Sequence, residues 1–495
     1  MEENNIEISQ TKENVLENKF QITKKHFILF GIFFIFFNSL LLITGITGDD
    51  YWWHIKVGEW IVENGEVPKT GIYSWYAQEN NLSWFAHEWL AEVVLYLFTM
   101  LFGRNGGIIY LFCTITLVSI LLYCYNYKGY MKNLAFSSLW AFIGFLSIGT
   151  IATARPHMLT ISLFAILIHI CEQIKKNENY KLYLLFPIIS LFWANYHGGS
   201  SNLVYIIPII YFITNSFSFT YGRLESIKIH KSYRYLILAL INAITIFFNP
   251  RTYQLYYYPY SYTEEHAKYI SEWQSPSLTN GGGFAIAFII LICLIFFFTK
   301  IKINFSDLAI VGCFMLLTLK SIRFDAWLYI VATMVIFKYI REIQDKSIYK
   351  WLAYEFAILG IAFLCYFGYC YYKGDTYIKQ NVPNEVIDIL KTDDYDKLLN
   401  YYDYGSYLIY EEIDTFIDGR ADMYSGYNFK QEVEGNRFTY DYTSKQFIEE
   451  FNFDMFLVPA KSYMSYYLES NTDLYENLFK DDTIVLYKLK TENIE

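Results

Sequence analysis

Residues 87–102 read HEWLAEVVLYLFTMLF, and how this run lies against a bilayer decides the architecture of the whole chain. A spanning helix needs about 20 apolar residues. The apolar part here, 89–102, is shorter, with Glu88 and Glu92 at its start. If it crosses, the basic loops that follow are split between two sides. These loops hold Lys175, Lys176 and Lys181, then Arg223, Lys228, Lys231 and Arg234, then Arg341, Lys346 and Lys350. If it lies in the interface, all of them share the side of Lys24 and Lys25. That choice puts about 18 Lys and Arg inside against about 8 outside, as basic cytoplasmic loops require. We therefore read 88–102 as an interfacial helix.

The other apolar runs are 27–46, 106–124, 134–152, 157–174, 182–196, 203–219, 235–249, 283–299, 307–319, 324–340 and 351–372. They predict about eleven spans, some near the lower limit of length, with the N-terminus in and the C-terminus out. The chain is 54% apolar and 20% aromatic, with 18% charged residues, more than a soluble core of this size needs. Phe27–Ile46 has full spanning length and no small-residue cleavage site, so it reads as a retained first span. The expected organisation is a cytoplasmic tail (1–25), a transmembrane bundle (26–372) with outer loop 47–105, and a soluble extracytoplasmic domain (373–495). The fold class is thus mainly α, a polytopic transmembrane helix bundle with a C-terminal α/β domain. The location is the bacterial cytoplasmic (inner) membrane, with the lipid bilayer itself a partner.

In the tail, Pro383–Leu390 and Ser444–Phe451 read as helices. Lys397–Tyr402, Tyr407–Tyr410, Thr415–Asp418, Asp454–Val458 and Thr483–Lys488 read as strands. The net charge of −10 without a basic stripe excludes nucleic acid as a partner. All seven cysteines sit in or beside apolar runs, without a close CxxC pair, and read as packing residues.

The unusual polar residues fall on the expected outer side. The first outer loop opens GDDYWWHIKVGEWI (48–61) and ends SWFAHEWLAE (83–92). Asp49 and Asp50 can start a helix beside interfacial aromatics. They can equally serve as a general base or metal-binding carboxylates at the membrane surface. Glu88 suits a helix N-terminus. His54, His87 and Glu88 have the chemistry of zinc ligands, although their spacing does not demand a metal and none is assigned. Further on come ARPHML with Arg155 and His157, WANYHGGS with Asn195 and His197, NPRTY with Arg251, SEWQSP with Glu272, and KSIRFD with Arg323. Charged groups at span ends are costly and mark function, and arginine pairs well with phosphate oxygens.

The order of these motifs, closing with YDYGSYLIY and FIDGRADMY in the tail, resembles bacterial membrane proteins of the GT-C glycosyltransferase class, from about residue 26 to the end. The resemblance implies a catalytic Asp in the first outer loop and a polyprenyl-phosphate-linked sugar donor. It also implies transfer to a glycan, lipid or protein acceptor on the extracytoplasmic face. On it, Asp50 matches the carboxylate before the aromatic pair, with Asp49 beside it; from the motif reading Glu88 is a further catalytic candidate. The substrate-binding candidates are His54, His87, Arg155, His157, His197, Arg251, Arg323 and Arg420. Two positions depart from the pattern: Gly48 replaces a first Asp, and Gly71 follows Pro68-Lys69-Thr70 where an Asp is usual. A divalent metal is thus possible without direct support. The competing readings are a lipid-linked phosphate or acyl transferase and a non-catalytic transporter or scaffold for envelope polysaccharide assembly. A transporter needs polar groups in mid-span, and here they gather at one face.

In the tail, Asp418–Asp422 reads as a turn. Asp418 and Arg420 form an internal ion pair there, or the turn faces the bundle and Arg420 is offered to an acceptor phosphate or carboxylate.

Overall fold

The computed structural model describes residues 50–103, 106–126, 153–176, 184–261, 271–279, 282–298, 302–340, 381–424 and 444–490. The expected spans over 27–46, 134–152 and 351–372, and Asp49, lie outside these residues. Helix α1 (Asp50–Asn64) has an acid in its first turn, where the helix dipole favours it, and stops at Gly65, whose φ is +69°. A short α2 (Trp75–Glu79) follows, capped by the Ser74 hydroxyl, which accepts from the Ala77 amide. Then come α3 (Trp89–Phe102) and α4 (Gly106–Asn126), which meet at 117°. α1 crosses α3 so closely at Gly58 that any Cβ there would overlap the Glu92 carbonyl.

The helical body continues with α5 (His157–Lys175), α6 (Phe186–Tyr196) and α7 (Leu203–Thr214). After the hairpin β1 (Phe219–Tyr221) and β2 (Leu224–Ser226) come α8 (Tyr233–Ile246), α9 (Tyr258–Ser261) and α10 (Gly283–Phe298). β3 (Ile303–Asn304), parallel to β2, leads into α11 (Phe305–Lys320) and α12 (Asp325–Ile340). α5 is central and buried on most faces. Its Phe164 meets Phe314 and Trp327 edge-on, at 5.2 and 5.0 Å between ring centres. The outer faces are apolar too. Ile188, Leu240, Ile244, Phe297 and Leu316 are all exposed, as on helices hydrophobic all round. Among the described residues, α5 is the one helix long and apolar enough by itself to cross a membrane, and α3 with α4 pass that test only as a bent pair.

The C-terminal part is α/β: α13 (Asn384–Thr392), β4 (Leu398–Asn400), α14 (Tyr402–Tyr410), α15 (Ser444–Phe451), β5 (Met455–Pro459), α16 (Tyr463–Ser470), β6 (Tyr475–Lys480) and β7 (Ile484–Leu489). The sheet order is β4-β5-β7-β6, with β4 parallel to β5 and the other pairs antiparallel. Two strand expectations are corrected. Tyr407–Tyr410 is the end of helix α14, because its aromatics pack on α1: Tyr407 and Tyr410 lie 5.1 and 4.7 Å from the Trp52 ring. Thr415–Asp418 is no sheet strand; it makes a single parallel bridge to Ser74.

That bridge belongs to a core shared by the first loop and the tail. Trp53, Val57, Ile61, Tyr76, Trp84 and Ala86 are buried together with Phe416, Ile417, Tyr424, Phe447 and Phe456. Backbone bonds stitch it, Thr415 N to Tyr73 O at 3.1 Å and Trp75 N to Thr415 O at 3.0 Å. The Ser406 hydroxyl accepts from the Trp53 amide at 3.2 Å.

Candidate functional site

Asp50 opens α1, and His54 follows one turn later on the same face. Arg155 stands in the bend just before α5, where Pro156 sets the helix start and the Tyr110 hydroxyl donates to the Arg155 carbonyl at 3.1 Å. The Arg155 guanidinium is ion-paired through Nη2 with Asp50 Oδ2. Its Nη1 reaches Glu272 Oε2 at 3.3 Å, and the second oxygen of Glu272 accepts from Arg323 Nη1 at 3.5 Å. Arg323 also lies over the Trp273 ring, 4.6 Å from its centre. The result is a line of alternating charge, Asp50–Arg155–Glu272–Arg323. Side-chain exposure rises along it from 15% at Asp50 to 41% at Arg323. Burial opposes the Glu272 charge, but Arg155, Arg323 and His157 outweigh it and hold the carboxyl below its usual range.

A second group centres on Glu88, which is 8% exposed. Its Oε1 lies 3.4 Å from His87 Nε2 and 3.3 Å from His197 Nε2, and its Oε2 lies 3.8 Å from His54 Nε2. The other ring nitrogen of His54 is 3.8 Å from Glu92. Burial works against the Glu88 carboxylate, yet the surrounding histidines win and hold its pKa far below the carboxylate range. The histidines divide the work. For His87 burial opposes the cation, but Glu88, Asp422 and the Phe85 carbonyl together raise the pKa. For His197 burial prevails, helped by Arg323, His87 and His157 against Glu88, and the pKa is pushed down to about 3. His197 is therefore neutral. Its Nδ1 can accept from the Thr160 and Ser200 hydroxyls, both at 3.0 Å, which leaves the Nε2 proton facing Glu88.

The tail turn closes over both groups. Gly419 packs on the Asp50 carboxylate and the Trp53 indole, and its carbonyl accepts from the Tyr402 hydroxyl at 3.1 Å. Asp422 accepts from the Tyr258 hydroxyl at 3.0 Å, and the Tyr258 ring in turn packs at a tilt against His87, 4.3 Å between ring centres. The turn thus faces the helical body.

Arg420, however, is not offered to a ligand. It is 1% exposed and bidentate to Asp418, Nε–Oδ1 and Nη2–Oδ2 both at 2.7 Å, under the Trp84 ring. Arg251 is also drawn elsewhere. Its guanidinium donates to the Trp84 and Lys69 carbonyls and covers Phe85, so it staples the first loop. His157 lies at the start of α5, within electrostatic reach of Glu272 and His197. Three residues that the sequence reading singled out turn out to have partnerships it did not assign: Glu272 as a bridge between two arginines, Gly419 against Asp50, and Asp422 with Tyr258. Glu272 carried its signal as a carboxylate beside Trp273 in an outer loop, and the other two as members of the 418–422 turn. Among the described residues no group of three or more His, Cys, Asp or Glu side chains is placed to hold a metal ion. Asp50 faces a guanidinium, and the imidazoles engage Glu88.

The fold is similar to that of solved glycosyltransferases. The apo oligosaccharyltransferase of Archaeoglobus fulgidus matches with a TM-score of 0.57 and 11% identity, over 95% of this chain and 75% of that one. ArnT from Cupriavidus metallidurans, solved bound to undecaprenyl phosphate, matches with a TM-score of 0.53 and 12% identity, over 94% and 98%. A second structure of the Archaeoglobus enzyme, tethered to an acceptor peptide containing the NVT sequon, gives 0.52 and 10%, over 95% and 74%. No protein-family model and no curated protein sequence matches the chain. The likeness is one of fold, a GT-C-like architecture.

Proposed function

We propose that this chain is a multi-pass membrane glycosyltransferase that moves a sugar from a polyprenyl-phosphate-linked donor to an envelope acceptor on the extracytoplasmic face. The observation that carries the reading is the pairing of Asp50 with Arg155 in a line that continues through Glu272 to Arg323. A carboxylate paired with one arginine, with a second arginine further along the same line, suits a transfer that releases phosphate. Asp50 takes the proton from the acceptor hydroxyl as its oxygen attacks the anomeric carbon. The bond from that carbon to the phosphate oxygen breaks, and its electron pair leaves on the phosphate. Arg155 and Arg323 stabilise that charge. Attack opposite the leaving group inverts the anomeric centre. Glu88 orders His54, His87 and His197, which surround its carboxylate. No step is assigned to a metal.

The apolar exterior of the helical body and the fold likeness support a membrane location. The distribution of basic loops supports about eleven spans with the tail outside. The test is transfer from a polyprenyl-phosphate-linked sugar by purified protein. Asp50→Asn should reduce it at least about 100-fold, the scale of a lost general base, with the thermal unfolding profile kept. Full activity in this variant would remove Asp50 from the reaction.

A further inference from the structure

Glu272 has a carboxylate between two guanidiniums, 3.3 Å from Arg155 and 3.5 Å from Arg323. Both separations are long for charge-assisted bonds, which usually close to about 2.7–2.9 Å. The side chain is 37% exposed, so its carboxylate can turn out to water without opening the core. Its backbone is anchored separately, with the Ser321 hydroxyl donating to the Glu272 carbonyl at 3.0 Å and the Ile322 amide donating to the Gln274 carbonyl at 3.0 Å. The carboxylate can therefore leave while the loop stays.

We infer that Glu272 is an internal stand-in for a phosphate group, occupying the anion site between Arg155 and Arg323 until a phosphate or diphosphate displaces it. The nature of the anion rests on the glycosyl-transfer reading; the competition does not. A phosphate monoester carries up to about two charges and three acceptor oxygens, against one charge and two oxygens on the carboxylate, so it bridges two arginines better. With the guest in place, Arg155 shifts its charge toward Arg323 and releases Asp50, whose carboxylate becomes free to accept a proton. With Glu272 in place the base stays quenched, and arrival of a diphosphate or a phosphate monoester, which outcompetes the single carboxylate charge, unmasks it.

The test is binding to the purified full chain in detergent, without sugar or acceptor, so that its outcome is independent of whether the chain transfers a sugar. The probes are inorganic pyrophosphate and farnesyl phosphate. Glu272→Gln should bind about tenfold more tightly, the effect expected when two partly exposed ion pairs no longer need breaking. Arg323→Ala should bind more weakly than the parent. A gain with both probes, or with either one, supports the inference and tells whether the site reads a bare anion or a lipid headgroup. Unchanged or weaker binding of both probes to Glu272→Gln overturns it. If Glu272→Gln does not fold, Glu272→Asp serves. It keeps the charge but is too short to bridge both arginines, so it should bind a few-fold more tightly, and unchanged binding again overturns the inference.

Discussion

Gly419 of the tail lies against Asp50 at the start of α1 so closely that a Cβ at 419 would overlap Asp50 Oδ1 and stand 3.0 Å from Trp53 Nε1. The catalytic candidate is therefore held from one side by Arg155 and from the other by a main chain almost 370 residues further on.

Gly419→Ala is expected to push Asp50 or the turn aside. Overpacking of this kind costs about 1–3 kcal/mol. Transfer should fall by more than the stability loss explains. Gly405→Ala is the comparison, because its Cβ would meet the Ile417 carbonyl and Asp418, away from Asp50. It should lower thermal stability with a smaller effect on turnover of the folded fraction. Equal turnover in the two variants would mean that Gly419 only shapes the tail.

Arg420→Ala should act on folding instead of acceptor use. It would leave Asp418 charged and buried beside Tyr424, whose hydroxyl donates to it at 2.6 Å. Breaking a buried pair on one side costs about 3–5 kcal/mol. A large fall in unfolding temperature is expected, with unaltered KM for acceptor in whatever folds.

Two histidines should give stability opposite pH limbs. His87 has a folded pKa raised above its ordinary 6.5, so its stabilisation is complete below 6.5 and is lost as pH rises through the folded value. His197 is depressed to about 3, so its contribution is present above 6.5 and is lost as pH falls toward 3. His87→Gln should flatten the alkaline limb of a stability–pH curve and His197→Gln the acid limb. Curves that keep both limbs in both variants would contradict these assignments.

Topology is open to labelling. Asn80 and Thr472 are exposed, one in the first loop and one in the tail. Cysteines at both positions should react with an impermeant maleimide in intact cells, above the background of the native thiols. Reaction at only one of them would refute an outward placement shared by loop and tail.

Helices with a clear punctuation were legible from the sequence. The run read as a helix over 88–102 is α3 (Trp89–Phe102), bounded by Gly103 with φ +59°, and Ser444–Phe451 is a helix as expected. YDYGSYLIY misled because alternating aromatics suit a strand, whereas packing against Trp52 makes it helical. Strand β6 was missed because YENLFK is polar at an edge and carries a register shift between Asn477 and Phe479. For the site, residue types were readable but partnerships were not. That Arg155 would meet Asp50 and Arg420 would turn inward to Asp418 depends on how distant segments fold together, and local periodicity holds no information on that.

The core shared by loop and tail has a bearing on how the molecule is made. Trp53 and Ser74 emerge early in synthesis, yet their partners Ser406 and Phe416 follow 353 and 342 residues later. Until then Trp52 lacks its tail neighbours Tyr407 and Tyr410 and Trp53 has only its own loop for cover, and contacts of such sequence separation form slowly. The surroundings of Asp50 are thus completed only once the distal turn has been delivered to the same side. A product that stalls before residue 419 would carry the whole amino-terminal half of the site and still lack its wall.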